Sequence, residues 1–354
     1  MTTPGEGQEA IRDMARSLLG AEPDSIRPVR GGGNNRIYRV DRGEATFALK
    51  FYPADERDRL GAEYRGLTFL VNHGVEEVPR PIAADSVRRA ALYEWIDGQS
   101  PGVPTAADFE RLFGFVATLI RLGSAQDAAG LPWASAACPR AADAYDQLEA
   151  RLRRLRPHAS AHPRLTDFLE RTFLPGCERM TGWSRRMLAE AGTDVDTPLP
   201  RHRLYLSPSD FGLHNILRRP DGRIAHVDFE YFGWDDPVKA VSDFVLHPGS
   251  DFDPDTRIAL LRRATRLFEP LDEAFTIRLE ALLGIYALIW CLILLNEFVP
   301  ETWSRRAQAG GVENRDEAQH RQLDKAERLY QWLWTVHDER TALEASSRSR
   351  TLRR

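Results

Sequence analysis

The chain has 354 residues, 42% of them hydrophobic and 28% charged, an ordinary composition for a globular protein long enough to build two lobes with separate cores. Its formal net charge of −4 argues against a nucleic-acid-binding surface, because such surfaces are usually strongly basic. The 3 cysteines lie far apart without a CxxC pair, which argues against a disulfide framework and a cysteine zinc site.

The N-terminal part of the chain has the pattern of a small antiparallel sheet crossed by one helix. Apolar residues at helical spacing predict a first helix over 8–19 and a second over 57–73. A glycine-rich turn at 31–35 separates the first two strands, and the prolines of 78–81 break the pattern before the last strand. Strands are predicted over 26–29, 37–40, 46–52 and 91–96.

The remainder of the chain is mostly helical by its apolar spacing, with one short β-rich patch in the middle. Within that patch, a turn at 220–222 joins the last two of three brief strands into a hairpin. A polar loop at 310–314 precedes the last helix. Helices are predicted over 106–122, 141–155, 165–188 and 323–333, and the brief strands over 204–206, 216–217 and 224–227.

Two segments bear on whether the protein meets a membrane. The apolar run 281–295 is shorter than the roughly 20 residues that a membrane span needs, so it predicts a buried core helix. Residues 1–20 contain acidic side chains and no apolar h-region, which argues against a signal peptide. We therefore expect a cytoplasmic protein without a membrane partner.

Three oxygen-bearing side chains have a spacing that suits phosphoryl transfer. Asp210 and Asn215 lie in one loop after a strand, and Asp228 follows at the end of a hairpin strand. Phosphoryl transfer needs a carboxylate that receives the proton of the attacking hydroxyl, and oxygen ligands that hold Mg²⁺ against the nucleotide phosphates. The spacing lets the loop turn Asp210 and Asn215 towards one cleft, which Asp228 approaches from the neighbouring hairpin.

The residues around these positions resemble the aminoglycoside phosphotransferase and choline kinase superfamily. The loop 209–215, the apolar-Asp-Phe-Glu segment 227–230 and the Tyr-Phe-Gly-Trp-Asp-Asp-Pro segment 231–237 are similar to that family's His-Gly-Asp-x-x-x-x-Asn and Asp-(Phe/Trp)-Glu motifs, the latter running into Gly-Asp-Pro. The resemblance implies ATP as the phosphate donor and an α+β, bilobal, protein-kinase-like fold. It implies Asp210 as the catalytic base and Asn215 and Asp228 as ligands of Mg²⁺.

The resemblance covers most of the chain and implies a division into two lobes. The N-lobe, 1–97, is expected to contain the small antiparallel sheet with its helix and to bind the nucleotide. The C-lobe, 98–340, is expected to be mostly helical and to carry the catalytic loop with the Mg²⁺ and substrate sites. The polar tail, 341–354, is expected to be disordered.

The N-terminal elements supply the nucleotide-binding residues that the resemblance implies. Glycines let a backbone approach phosphates closely and present N–H groups to them, although a GGG turn is also typical of a plain hairpin. The interlobe hinge falls at 93–97, where backbone groups are expected to hydrogen-bond the adenine. The predicted nucleotide-binding residues are Gly31, Gly32, Gly33, Asn34, Lys50, Glu63, Glu94 and Ile96.

Lysine is rare in this chain: Lys50, Lys239 and Lys325 are the only lysines among 48 basic residues. Where such an arginine-rich chain keeps a lysine, the position is expected to need a compact ammonium in place of a forked guanidinium. The resemblance places Lys50 where the family contacts the α- and β-phosphates. Glu63, on the next predicted helix, is placed to pair with Lys50 and hold it towards the cleft.

The lead-in to Asp210 departs from the family pattern. Pro208 stands in the histidine position and Ser209 in the glycine position. That histidine braces the catalytic loop in the family, and a proline with its fixed φ offers another way to stiffen it. Two alternatives stay open: an inactive scaffold that binds nucleotide, and a kinase acting on proteins, although no activation segment is evident after Asp228.

The acceptor is expected to be a hydroxyl group of a small molecule, with no nucleic-acid partner. The resemblance leaves its class open among aminoglycosides, sugars, choline or ethanolamine, and amino alcohols. Acidic residues scattered through 251–280 suit a cationic acceptor and equally an exposed polar face. His214 and His226, which lie near the predicted metal ligands, are expected to have packing or surface roles, because Asp210 already supplies the base.

Overall fold

A computed structural model of the protein describes residues 4–29, 35–54, 56–250, 252–308 and 314–351. The chain forms two compact units. The first unit comprises 1–137 and 204–235, and the second comprises 138–203 and 236–354. The first unit therefore holds the predicted N-lobe together with two segments that the sequence assigned to the C-lobe.

The first unit is built on a five-stranded antiparallel sheet in the order β1-β2-β3-β5-β4. Residues Met14 and Ala15 of the first helix are buried together with Val40, Leu49 and Leu92 of the sheet. Since side chains alternate between the faces of a strand, this burial fixes which residues of neighbouring strands lie opposite each other. The elements are α1 (Pro4–Leu19), β1 (Ser25–Val29), β2 (Arg36–Arg42), β3 (Ala45–Phe51), α2 (Arg59–Asn72), β4 (Pro81–Asp85) and β5 (Ala90–Glu94).

Strand β4 begins at Pro81, the last residue of the interruption predicted over 78–81, and continues into residues for which the sequence predicted no strand. The strand lies at the edge of the described sheet, beside β5. Proline is tolerated at the first residue of an edge strand, where its missing N–H breaks no ladder, and Pro81 holds that position. The proline pattern therefore concealed a strand, and the sheet has one strand more than predicted.

Four brief strands and helix α3 (Ala106–Leu122) complete the first unit. Strands β7 (Ile216–Arg218) and β8 (Ile224–His226) form an antiparallel hairpin, which confirms the predicted one. Strand β6 (Tyr205–Ser207) pairs antiparallel with β9 (Gly233–Asp235), a strand that the sequence did not predict. Glycine is required at Gly233, because a Cβ there would lie 2.5 Å from the backbone of 132–134.

The second unit is a group of helices around α9 (Phe275–Leu294). This helix packs against α4 (Ala141–Ala159), α6 (Leu174–Glu190), α7 (Pro237–Leu246) and α11 (Arg315–Thr351). In the described part of the chain, 275–298 is the one helical segment long and apolar enough to cross a membrane, and 72% of its most apolar window is buried inside the protein. Burial on all sides is typical of a core helix, as predicted. The other helices are α5 (Pro163–Asp167), α8 (Pro254–Phe268) and α10 (Pro300–Gln308).

Two predicted boundaries in the second unit differ from the structure. The segment predicted as one helix over 165–188 contains a π-helical turn at Phe168–Phe173 between α5 and α6. Pro175 lies in the first turn of α6, where its missing N–H removes a helical hydrogen bond and favours such an irregularity. Helix α11 continues to Thr351, so the tail predicted as disordered over 341–354 is helical through that residue; no glycine or proline interrupts it.

Candidate active site

Lys50 is the centre of a buried ionic cluster in the first unit. It lies on β3, where its backbone is opposite Ile37 of β2 and Ala91 of β5, so strands on both sides fix its position. Its Nζ lies 2.6 Å from Oε2 of Glu63 on α2 and 2.6 Å from Oδ1 of Asp228. The side chains of Lys50 and Glu63 are only 6% and 5% exposed. The structure thus contains the Lys50–Glu63 contact expected from the sequence and adds Asp228 to it.

The charges around Lys50 are weighted towards carboxylates. Burial opposes the charged ammonium, but the negative charges of Glu63, Asp228 and Glu230 outweigh burial and raise the pKa of Lys50. Burial raises the pKa of Glu63, and the charge of Asp228 adds to this effect while Lys50 opposes it. The side chain of Asp228 is 35% exposed, and a surplus of negative charge in such a partly buried cluster is costly unless a further cation compensates it.

The β7–β8 hairpin brings Asn215 and Asp228 to the same place. Just beyond the paired strands, the N–H of Val227 donates to the carbonyl of Asn215 at 2.9 Å. Asp228 is the next residue and therefore leaves the hairpin beside Asn215. The side-chain Nδ2 of Asn215 donates to the backbone carbonyl of Asp210 at 2.9 Å, which closes the loop and leaves the amide oxygen as the atom suited to bind a metal.

Asp210 lies in the loop after β6, with 40% of its side chain exposed. Its Oδ1 lies 3.2 Å from Nε2 of His214, which belongs to a 3₁₀ turn at Leu213–Asn215. Burial opposes protonation of the imidazole, but the hydrogen bond to Asp210, with the charges of Asp210 and Asp228, outweighs it and raises the pKa of His214. From the sequence, His214 was expected to have only a packing or surface role. Its spacing of four residues from Asp210 was the signal available.

The lead-in to the predicted base is held by two serine residues. The hydroxyl of Ser207 is buried and accepts a hydrogen bond from the N–H of Ser209 at 2.9 Å and one from the hydroxyl of Tyr205 at 3.1 Å. Ser209 has a φ of 65°, in the left-handed region that favours glycine. Its Oγ donates to the carbonyl of Ser135 at 3.2 Å. The left-handed backbone explains why glycine suits this position, and the serine hydroxyl offsets part of the strain.

A second buried ion pair lies beside the first and was not predicted from the sequence. Nη1 of Arg59, at the start of α2, lies 2.6 Å from Oε1 of Glu230, and both side chains are buried. The other carboxylate oxygen of Glu230 accepts from Nδ2 of Asn35 at 2.7 Å, and the guanidinium lies over the ring of Tyr231 at 4.9 Å. These contacts tie α2 to the segment that follows Asp228.

His226 supports the strand that leads to Asp228. Its ring is buried and stacks on Phe115 with ring centroids 3.8 Å apart, and lies 5.9 Å from Phe211. Burial lowers the pKa of His226 to about 3. The imidazole is therefore neutral at physiological pH, in agreement with the packing role expected from the sequence.

The structure describes only some of the remaining residues that were predicted to bind the nucleotide. Glu94 is the last residue of β5, and its N–H donates to the carbonyl of Arg80 at 2.8 Å. Ile96 is buried two residues further along. The contact of this hinge with adenine stays a prediction. Four predicted phosphate-binding residues lie outside the described part of the chain: Gly31, Gly32, Gly33 and Asn34.

The donor set formed by Asn215 and Asp228 fits a hard divalent cation. Carboxylate and amide oxygens are the ligands that Mg²⁺ prefers, and the surplus of carboxylates around Lys50 favours an added positive charge. Asp228 has a φ of 67°, and strained backbone of this kind is concentrated at functional sites in proteins. The residues present are therefore suited to hold Mg²⁺.

Comparison with known proteins gives a family and a fold. Residues 25–274 match the model of APH, described as the phosphotransferase enzyme family. No curated protein sequence is significantly similar to this chain.

Similar solved structures include the choline kinase LicA from Streptococcus pneumoniae, with 16% identity over 92% of this chain and 99% of that one, at a TM-score of 0.56. A choline/ethanolamine kinase family protein from Mesorhizobium loti has 18% identity, 90% and 94% coverage and a TM-score of 0.52. A spectinomycin phosphotransferase in complex with ADP and spectinomycin has 12% identity, 89% and 98% coverage and a TM-score of 0.56. The likeness confirms the kinase-like α+β fold that the sequence predicted.

Proposed function

This chain belongs to the APH phosphotransferase enzyme family, and we propose that it transfers the γ-phosphate of ATP to a hydroxyl group of a small molecule. The observation that carries the proposal is the cluster in which Lys50 contacts both Glu63 and Asp228, beside a loop closed by Asn215 and Asp210. The family and the fold support phosphotransfer to small molecules. A similar structure that holds ADP supports an adenine nucleotide as the donor.

We assign the proton transfer to Asp210. Its partly exposed carboxylate receives the proton of the acceptor hydroxyl as the oxygen attacks the γ-phosphate. The hydrogen bond from His214 holds the carboxylate in one orientation, and the amide of Asn215 holds the backbone of the same loop. A base that is fixed in this way loses little entropy when the reaction begins.

We assign the nucleotide phosphates to Lys50 and the metal to Asn215 and Asp228. The ammonium of Lys50 acts as a point charge on the phosphates, and Glu63 keeps it in place. Mg²⁺, when bound, neutralises negative charge on the transferring group. The loop at 31–34 and the hinge residues Glu94 and Ile96 complete the proposed nucleotide site.

We propose that the acceptor is aminoglycoside-like, a sugar or an amino alcohol, and that the protein acts in the cytoplasm. Support for the acceptor class comes from the names of the similar structures, a choline kinase and a spectinomycin phosphotransferase among them. The burial of the single membrane-length apolar segment found in the described chain supports a protein that does not span a membrane.

The proposal is tested by measuring ADP release from Mg·ATP across a panel of small hydroxyl compounds, with wild type and Asp210→Asn. Removal of the base is expected to lower kcat by at least about 100-fold. Glu44→Gln, at an exposed acid in the same unit, is the matched control and should retain wild-type turnover. Tight ATP binding without turnover for any acceptor would favour the inactive-scaffold alternative instead.

A further inference from the structure

Two tyrosine hydroxyls form a buried chain of hydrogen bonds that ends on the carboxylate beside Lys50. The hydroxyl of Tyr52 donates to Oε2 of Glu63 at 2.7 Å, and the hydroxyls of Tyr52 and Tyr93 lie 2.6 Å apart. The same Oε2 lies 2.6 Å from Nζ of Lys50. All four side chains are buried. The chain therefore connects β5 to the ammonium group through three consecutive contacts.

The sheet brings both tyrosine residues to the face that carries Lys50. Tyr52 follows Lys50 by two residues, and its N–H donates to the carbonyl of Arg89 at 2.9 Å, so the pairing of β3 with β5 continues through it. Residues two apart on a strand project from the same face. Tyr93 of β5 is paired with Ala48 of β3, which lies two residues before Lys50. Since directly paired residues share a face, Tyr93 lies on that face as well.

The available protons fix the direction of the chain. Oε2 of Glu63 faces an ammonium group, so it acts as an acceptor and the proton of Tyr52 points to it. A tyrosine hydroxyl has one proton, so the oxygen of Tyr52 accepts the proton of Tyr93. Burial, to which the charge of Glu63 adds, raises the pKa of both hydroxyls, and each therefore keeps its proton at physiological pH. Hydrogen bonds that point in one direction polarise and strengthen one another.

Packing alone does not account for these hydroxyls. Phenylalanine would fill nearly the same volume, whereas a buried hydroxyl is unfavourable unless it is hydrogen-bonded. The hydroxyl of Tyr52 orients the carboxylate of Glu63, which in turn contacts the ammonium of Lys50. The ring of Tyr52 also lies beside that ammonium, with 5.1 Å between Nζ and the ring centroid. Tyr52 thus restricts the position of Nζ both directly and through Glu63.

We propose that Tyr52, supported by Tyr93, is a positioning residue that acts through Glu63 to hold the ammonium of Lys50 at the nucleotide phosphates. The inference rests on the proposed function, in which Lys50 contacts those phosphates. Such a contact is present before and during phosphoryl transfer, so a displaced ammonium weakens ATP binding more than it lowers kcat. Tyr93 directly precedes Glu94 of the predicted hinge, so the chain also links the segment expected to bind adenine to the group expected to bind phosphate.

Tyr52→Phe tests the inference, because it removes the hydroxyl and keeps the ring. Isothermal titration calorimetry of the full chain with Mg·ATP requires no acceptor, and the Kd for ATP is expected to rise at least about fivefold. With an acceptor that gives turnover, kcat should change by less than about twofold. Tyr93→Phe leaves the contact between Tyr52 and Glu63 in place, so it should raise the Kd by a smaller factor, about twofold.

A Lys50→Met background shows whether the hydroxyl acts through the ammonium. Lys50→Met alone should raise the Kd for ATP about tenfold, since it removes one charge at the phosphates. In that background, Tyr52→Phe should change the Kd by less than about 1.5-fold, because no ammonium remains to be positioned. A fivefold effect that persists in the Lys50→Met background overturns the inference.

The matched control is Tyr145→Phe in the second unit, which removes a buried hydroxyl 2.8 Å from Oγ of Ser184. It should lose stability in urea denaturation about as Tyr52→Phe does, yet bind ATP as wild type does. Equal weakening of ATP binding in both variants overturns the inference. If wild type binds ATP and Tyr52→Phe binds it equally well, the inference fails and the proposed function stands. A wild-type protein without saturable ATP binding contradicts the proposed function, and the inference falls with it.

Discussion

The two halves of the candidate active site are held in place in different ways. Lys50 and Glu63 stand on a strand and a helix, with side chains 6% and 5% exposed. Asp210 and His214 stand in a loop, with side chains 40% and 36% exposed. The first pair therefore belongs to the core and the second does not. We expect substitutions in the first pair to change stability and activity together, and substitutions in the loop to change mainly activity.

Glu63 shows how deeply the first pair is built into the fold. One carboxylate oxygen contacts Lys50 and accepts a hydrogen bond of 2.7 Å from the hydroxyl of Tyr52. The other accepts from the backbone N–H of Phe229 at 3.3 Å. This one side chain therefore connects β3, α2 and the segment after Asp228.

The largest predicted effect on stability follows from neutralising Glu63. Glu63→Gln leaves the buried ammonium of Lys50 with one carboxylate fewer, and breaking a buried ion pair typically costs about 3 kcal/mol or more of the free energy of unfolding. Urea denaturation followed by circular dichroism measures the loss. Turnover should fall in the same variant, because Lys50 is no longer held.

The control for Glu63 lies on the same helix. Arg65 and Asp58 form an ion pair of 2.8 Å, with side chains 52% and 67% exposed. Exposed pairs contribute at most about 1 kcal/mol, so Arg65→Gln should change the stability little. Equal losses in Arg65→Gln and Glu63→Gln would contradict the comparison.

The Lys50–Glu63 contact was accessible from the sequence because the family resemblance implied the role of Lys50, and the regular elements predicted around it placed Glu63 on the next helix. The alternation of β3 and the helical spacing of α2 are strong local signals, and the rarity of lysine marked Lys50. The pair formed by Arg59 and Glu230 was not accessible, because the two residues are far apart in the chain and no local pattern links them. The same holds for β9, whose three residues are too short for a detectable alternation.

The loop is expected to show the opposite behaviour, with activity changing more than stability. His214→Ala removes the hydrogen bond to Asp210, and a hydrogen bond to a charged group contributes about 1.5 kcal/mol or more when buried. Because this contact is partly exposed, we expect kcat to fall by about three- to tenfold, equal to roughly 0.7–1.4 kcal/mol. The KM for ATP should stay near the wild-type value.

Two measurements check this prediction. Steady-state kinetics with an acceptor that gives turnover measures kcat, and urea denaturation should place the stability of His214→Ala within about 0.5 kcal/mol of wild type. His202→Ala, at an exposed histidine outside the site, is the control. A large loss of stability without loss of kcat would show that His214 is a packing residue, as the sequence alone indicated.

The loop's contacts could not be predicted because they arise from turns without periodicity. The missing family histidine drew attention to Pro208, yet the structure places the bracing hydrogen bonds on Ser207 and Ser209. A serine hydroxyl forms such bonds only at particular backbone angles, and a single sequence does not reveal those angles. The residue identities predicted phosphoryl transfer, whereas the hydrogen bonds that hold the loop are visible only in the structure.

The last prediction isolates the backbone strain at Ser209. Its φ of 65° favours glycine, whereas alanine keeps the strain and also lacks the hydroxyl that bonds to Ser135. Ser209→Gly and Ser209→Ala both lose that hydroxyl, so the difference between them reports the backbone alone. We expect the glycine variant to be more stable than the alanine variant by about 1 kcal/mol. Thermal or urea denaturation of the two variants measures the difference, and an alanine variant at least as stable as the glycine variant would show that the loop does not hold this residue in the left-handed region.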